Sequence, residues 1–272
     1  MPPGSTAPAA KAWLKHTGAD RTVVLSPHLD DAVLSVGELL RASDGHAEVW
    51  TVLTEAAPHQ APSAWTRAAG FTDGAQEHAH RRIEDQQAML HLGCGYHHAG
   101  LSSESLNTEN IQQLLTRMLG DPAALPKDRR VLVLLPAGSG GSQPDTPLQR
   151  LIQRALRQPF GAPAHPEHVQ VRDLLWQALT EYPVQIGFYA DLPYAWRQNN
   201  ARIQSDLASR FTCKLDPVQF AVDVEAKLAA VEHYPSQAAL VLGDSTSYRH
   251  RVLSRPESLF MVNRAAPART GR

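Results

Sequence analysis

No apolar run in the 272 residues approaches the ~20 needed to cross a bilayer, and the N-terminal MPPGSTAPAAKAWLKH lacks the apolar core of a signal peptide. The expectation is a soluble, cytoplasmic chain with no transmembrane segment. Cysteine is scarce. Cys94 and Cys213 stand far apart, so neither a disulfide framework nor a cysteine-based metal cluster is available. Charge of one sign is not concentrated anywhere: 26 basic against 27 acidic residues leave a formal net charge of -1, and nothing in the pattern points to nucleic acid. The basic residues Arg249, Arg251 and Arg255 read as a solvated surface. A glycine-rich phosphate loop is missing too. After the apolar Val23-Val24-Leu25, where a dinucleotide-binding chain would place glycines, this chain has SPHLDDAVLS at residues 26–35. A proline, a leucine and two adjacent acids would repel a phosphate there, and the GSGG at 138–141 is too short and too generic to replace the loop.

With 43% hydrophobic residues, the chain is long enough to bury a sizeable core. Short β-branched or continuous apolar runs at Thr22–Leu25, Glu48–Leu53, Arg130–Leu135 and Val184–Tyr189 read as strands. Helical spacing of apolar residues marks Ala32–Leu40, Ala79–Leu92, Thr108–Leu119, His168–Leu179 and Val222–Val231, and Gly93 and Gly120 follow two of these as helix stops. Strands without polar alternation, interleaved with helices, predict an α/β fold: a Rossmann-like, doubly wound, mainly parallel sheet with helices on both faces. The expected layout is a loose arm over 1–10, one domain over 11–263 and a tail over 264–272. Within the domain, the Gly/Pro/Ser/Gln-rich stretch 137–164 is a long loop, with a short helix possible at Leu148–Leu156. A connection of that length inside a compact domain is usually functional or disordered, and it is expected to border the active site because it delivers HPEH from the end of the strand at 130–135.

Ligands of doubly wound sheets bind outside the carboxyl ends of the strands, and PHLDD occupies such an end. Two neighbouring carboxylates call for a compensating cation. Imidazole with carboxylate suits zinc, and a catalytic zinc has three protein ligands and an open position. His28 and Asp31, three residues apart, can converge on one ion, while Asp30 between them points at the attacking water. A further histidine must come from another strand end. The segment APAHPEHVQVRDLL supplies His165 and His168, also three apart, at the start of a helix. The plain alternative is that Asp30 and Asp31 merely cap a helix, where acids are favoured by the dipole.

PHLDD with a downstream HPEH resembles the PIG-L/LmbE-like zinc-dependent de-N-acetylases, whose signature is a (P/A)HPDD turn and a later HPDH. RRIEDQQAMLHLG (81–93) is similar to the family's Arg-x-x-Glu helix. GFYADLPYAW (187–196) and KLAAVEHYPSQ (227–237) are similar to segments of some bacterial branches. The resemblance implies that His28, Asp31 and His168 bind Zn²⁺, with Fe²⁺ an alternative in the cell. It implies that Asp30 is the general base, that His165 polarises or protonates the reacting group, and that Arg81 lies near the substrate. The alternative for Arg81 is an ion pair with Glu84 on an exposed helix face. Leu29 and Ala32 depart from the family's usual proline and glutamate, and Glu167 lengthens the arm of the usual aspartate. Pro163 stands where some members have a tyrosine. The implied activity is removal of an acetyl group from a small-molecule N-acetylglucosamine-type conjugate, with the oligomeric state open. Two other readings compete: a non-haem iron oxygenase using His28, Asp30 and His168, and a non-catalytic sugar-binding module on the same fold.

Overall fold

The computed structural model describes residues 10–58, 61–125, 130–140 and 164–263. Its elements are α1 (Ala10–Thr17), β1 (Arg21–Ser26), α2 (Asp31–Ala42), β2 (Ala47–Leu53), α3 (Ala64–Ala68), α4 (Gly74–Leu92), β3 (Gly95–Leu101), α5 (Thr108–Leu119) and β4 (Val131–Pro136). There follow α6 (Pro166–Leu179), β5 (Gln185–Tyr189), a single 3₁₀ turn (Tyr194–Arg197), α7 (Asn200–Phe211), β6 (Lys214–Phe220), α8 (Val224–Val231), α9 (Pro235–Leu242), α10 (Thr246–Leu253) and β7 (Glu257–Asn263).

The seven strands form one sheet in the order β3-β2-β1-β4-β5-β7-β6. The first five in that order run parallel, and β7 runs antiparallel to both β5 and β6. This is the α/β, Rossmann-like architecture expected from the strand composition. Val23, Val24 and Leu25 in β1 and Leu132 to Leu135 in β4 are fully buried, as strands covered on both faces must be. Helix α2 packs against α1, α4 and α8, whereas α5 packs with α6, which lies along β4.

The chain order places a topological switch between β1 and β4, which are hydrogen-bonded neighbours (Thr22 beside Leu132, Val24 beside Leu134). From β1 the chain builds outward through β2 to β3, then returns to β4 and builds the other way. The connections leaving the carboxyl ends of β1 and β4 therefore diverge, and a crevice opens between them. PHLDD follows β1, and the segment that leads to HPEH follows β4.

Several elements were not expected from the sequence. Strand β3 (GYHHAGL) is a sheet edge with glycines and histidines and alternating exposure, so it carries no apolar run to find. Strand β6 contains Pro217, tolerated because it also lies at an edge. The loose arm assigned to 1–10 loses its last residue, because Ala10 is buried and begins α1. Residues 1–9, the 264–272 tail and the short helix at Leu148–Leu156 lie outside the described residues. Arg255 does not belong to a solvated surface. Its guanidinium is half-buried and donates to the carbonyls of Ala195 and Gln198 and to Asn200 Oδ1, tying β7's approach to the 3₁₀ turn.

Candidate active site

The turn after β1 is held by one hydroxyl. Ser26 Oγ donates to the His28 carbonyl (2.7 Å) and accepts from the Ala32 N–H (3.1 Å), bending the chain directly into α2. The His28 backbone N–H donates to Asp31 Oδ2 at 2.9 Å, so the Asp31 carboxylate is turned back toward the imidazole of the same turn. His168 arrives on the first turn of α6, whose first position is Pro166 and whose cap residue is His165.

Three ligand-type atoms converge. His28 Nδ1 lies 3.1 Å from Asp31 Oδ2 and 3.2 Å from His168 Nε2, and the last two are 3.1 Å apart. Two atoms that share one divalent ion at ~2.0–2.2 Å stand about 3.0–3.4 Å apart, so the donor set fits a metal in spacing as well as in chemistry. The ring nitrogen opposite each of these faces an acid. His28 Nε2 is 2.8 Å from Glu167 Oε2, and His168 Nδ1 is 3.5 Å from Asp191 Oδ2. A ligating histidine ordinarily presents its second nitrogen to a carboxylate in this way. His28, His165 and His168 also bring ring nitrogens within 4.8 Å of one another, so a three-histidine set is geometrically possible. The set with Asp31 is tighter, and its carboxylate offsets a cation's charge.

The electrostatics favour positive charge at this point. His168 is pushed up to about 10: burial works against the proton, but the Asp31 charge and the contacts with Asp191 and Asp31 outweigh it. His28 is raised for the same reason through Asp31 and Glu167, against burial. Burial alone would raise Asp31, yet the two imidazoles hold it well below the usual carboxylate range. Asp30 goes the other way, up to about 6, through burial and the neighbouring Asp31 charge, with Arg81 opposing. His165 is lowered to about 4 by burial and by the His28 and His168 charges. Its Nδ1 is buried without a hydrogen-bond partner among the described residues.

Arg81 is not on an exposed face. It is buried, with Nη2 3.4 Å from Asp30 Oδ1 and Nη1 3.4 Å from Glu77 Oε1. Glu84, its expected alternative partner, instead accepts from the Ser236 N–H and hydroxyl. His78 is half-buried and lines the same cavity. His98 is engaged by the buried Asp85, which also accepts from Tyr234 OH.

Two residues here had not been singled out. Asp191 is fully buried, and its carboxylate accepts the backbone N–H groups of Ala137 (2.9 Å) and Ser139 (2.7 Å) while facing His168. Tyr194 lies with its ring centroid 5.1 Å from that of His168 and 5.8 Å from that of His165. Both sit in GFYADLPYAW, so the segment was visible but its chemistry was not. The cavity, of about 480 Å³, collects His28, Asp30, Asp31, Arg81, His165 and Tyr194. Among the described residues its far wall is the connection between β2 and α4. The expected border, loop 137–164, is described only at Ala137–Gly140 and Ala164, and the rest lies outside the described residues.

No protein-family model and no curated protein matches the sequence. Solved structures do share the fold over nearly the whole chain. Teicoplanin deacetylase Orf2 in its zinc-inhibited form is 22% identical with a TM-score of 0.66, over 90% of this chain and 98% of its own. The A40926 pseudoaglycone deacetylase Dbv21 is 25% identical with a TM-score of 0.60, over 91% and 99%. GalB, the 4-carboxy-2-hydroxymuconate hydratase of Pseudomonas putida, is 14% identical with a TM-score of 0.50, over 92% and 100%. The two deacetylases support the PIG-L/LmbE-like resemblance of the histidine motifs. The hydratase shows that the fold alone does not name the reaction, which must be argued from the site.

Proposed function

We propose that this chain, which shares its fold with the PIG-L/LmbE-like deacetylases, is a metal-dependent amidohydrolase that removes the acetyl group from an N-acetylated amino-sugar conjugate. The observation that carries the reading is the triangle of His28 Nδ1, Asp31 Oδ2 and His168 Nε2, 3.1–3.2 Å on each side, in one cavity with Asp30 and His165. His28, Asp31 and His168 would hold the ion, and Zn²⁺ and Fe²⁺ both accept two imidazoles and a carboxylate. A bound divalent ion supplies Lewis acidity and lowers the pKa of a coordinated water to about 7.

The chain's own groups do the proton work. Asp30 stands outside the triangle beside Arg81, so its carboxylate is available to take the proton of the attacking water. The neutral imidazole of His165 keeps one N–H, which is offered to the amide oxygen as negative charge develops there, a contribution of roughly 3–4 kcal/mol for a well-placed donor. The new C–O bond forms, the C–N bond breaks, and the proton held by Asp30 passes to the departing nitrogen. Acetate and a free amine result. Arg81, 3.4 Å from Asp30 Oδ1, keeps that carboxylate in place from the side.

The rival readings fare differently. An oxygenase using His28, Asp30 and His168 requires Asp30 to face the imidazoles, and Asp31 faces them instead. The β jelly roll usual for that chemistry is replaced by an α/β sheet. A binding module that had lost catalysis would not need Asp30 and His165 beside an intact triangle. The test is release of amine and acetate from a panel of N-acetylglucosamine conjugates by protein loaded with zinc or with iron(II), with metal content measured on the same sample. Amine release from at least one conjugate, dependent on the metal, is expected. Stoichiometric metal with no release from any member of the panel would overturn the reading.

A further inference from the structure

The cavity has a second wall that the amide chemistry does not use. It is built by the β2–α4 connection and by α9: Ala57, Pro62 and Trp65 on the one, Val241 on the other. Trp65 sits in α3, which is fixed by Ser63, whose hydroxyl accepts the Thr66 N–H at 2.9 Å. Its indole Nε1–H donates to Gln237 Oε1 at 2.8 Å, and Gln237 is fully buried in α9. The ring is thereby held in one orientation with its only donor already used. A tryptophan serving only as an anchor would be covered, yet Trp65 remains 42% exposed. Two other large apolar side chains, Ile83 and Leu90, are exposed as well, but neither lines the cavity. What Trp65 offers a ligand is an apolar ring surface in a cavity that Pro62 and Val241 also line.

We propose that Trp65, with Pro62 and Val241, forms a substrate subsite for an apolar C–H surface carried beyond the scissile amide. The surface is either the C–H face of the sugar ring itself or an alkyl or aryl group attached to the sugar. The inference rests on the deacetylase reading for the identity of the amide, but not for the existence of the subsite. An acetyl group fills only a small part of about 480 Å³, so the rest of a substrate whose amide reaches Asp30 must lie against the remaining walls. A fixed indole without a free donor selects for apolar surface there rather than for hydroxyls.

The experiment uses the full chain, wild type, Trp65→Ala and Trp65→Phe, each checked by thermal melting. Calorimetry measures binding of octyl glucoside and of methyl glucoside, neither of which contains an amide. Kinetics follow free N-acetylglucosamine and its octyl glycoside. Trp65→Ala should weaken octyl glucoside binding about tenfold and raise KM for the octyl glycoside by a similar factor, with kcat nearly unchanged. Trp65→Phe, which keeps a ring and loses the bond to Gln237, should retain most of the affinity. If methyl glucoside and free N-acetylglucosamine weaken equally, the sugar face occupies the ring; if they are unaffected, the attached group does. Unchanged binding of both glucosides in Trp65→Ala would overturn the subsite. So would an equal loss in Trp65→Phe, which would assign the effect to the anchor. Absence of amine release from wild type would overturn the deacetylase reading and leave the binding comparison standing.

Discussion

Lys227 and Glu257 form an ion pair at 2.7 Å with both residues 2% exposed, behind α2, the helix that follows the PHLDD turn. Helix α2 breaks at Val36 (φ -135, ψ 27), and the N–H groups of Glu38 and Leu39, just beyond Gly37, donate to the Glu257 carboxylate at 2.8 and 3.0 Å. The acid thus caps a bend inside α2, and Lys227 neutralises the acid. Replacing Lys227 by Met keeps most of the side-chain volume and leaves the carboxylate buried without its cation. Removing one partner of a buried pair costs about 3–5 kcal/mol. The two backbone donors stay with Glu257, which places the expected loss near the lower end, about 3 kcal/mol. Against a total stability of about 5–15 kcal/mol, that is a large fraction. With an m-value near 3 kcal/mol/M, the urea midpoint should fall by about 1 M. The double variant Lys227→Met with Glu257→Gln removes both charges and keeps a carbonyl for one of the α2 donors, so most of the loss should be recovered. A Lys227→Met midpoint within error of wild type would show that the buried pair carries no such energy, as would a double variant less stable than the single.

His168→Ala should lose most of the bound metal, measured by elemental analysis of chelator-free protein, and full occupancy in that variant would remove the ligand set proposed for the site. Asp191→Asn should weaken zinc binding about 10- to 100-fold in a chelator competition, the usual effect of losing the acid behind a ligating histidine. Its control is Ser35→Ala, because Ser35 Oγ accepts the Leu192 N–H at 3.0 Å and so supports the same segment without touching the carboxylate. That variant should lower the melting temperature and leave zinc affinity unchanged; parallel losses in both would make Asp191 a clamp for the loop at Ala137–Ser139 and nothing more.

The parallel sheet was legible because its central strands are buried on both faces, and such strands write themselves into sequence as unbroken apolar runs such as Val131–Leu135. The edge strand Gly95–Leu101 pairs with one neighbour only and is half-exposed, so its sequence keeps two histidines and two glycines and hides the strand. The histidine and aspartate turns were legible because local spacing sets their convergence: three residues separate His28 from Asp31, and one α6 turn separates His165 from His168. Asp191 was not, because its partners are the backbone of residues 137 and 139 and a histidine on another helix, contacts that exist only after β4 and β5 are paired. The same holds for Arg81. On its helix it had Glu84 as a spaced partner, but the packing of α4 against α2 delivered it to Asp30 instead. Trp65 illustrates the converse. A single tryptophan in an alanine-rich connection carries no pattern, and its place on the cavity wall comes from Gln237, 172 positions later in the chain.

In the proposed mechanism Asp30 moves the proton while His28, Asp31 and His168 hold the metal. Measuring metal content and amine release side by side on wild type and Asp30→Asn tests it most directly. The asparagine keeps the size of the side chain and leaves the triangle untouched, but it cannot accept the water's proton. Metal content should stay near wild type while turnover falls by ~10² to 10⁴. An Asp30→Asn protein that is fully metallated and fully active would contradict the mechanism, and one that loses metal and activity together would make Asp30 a ligand.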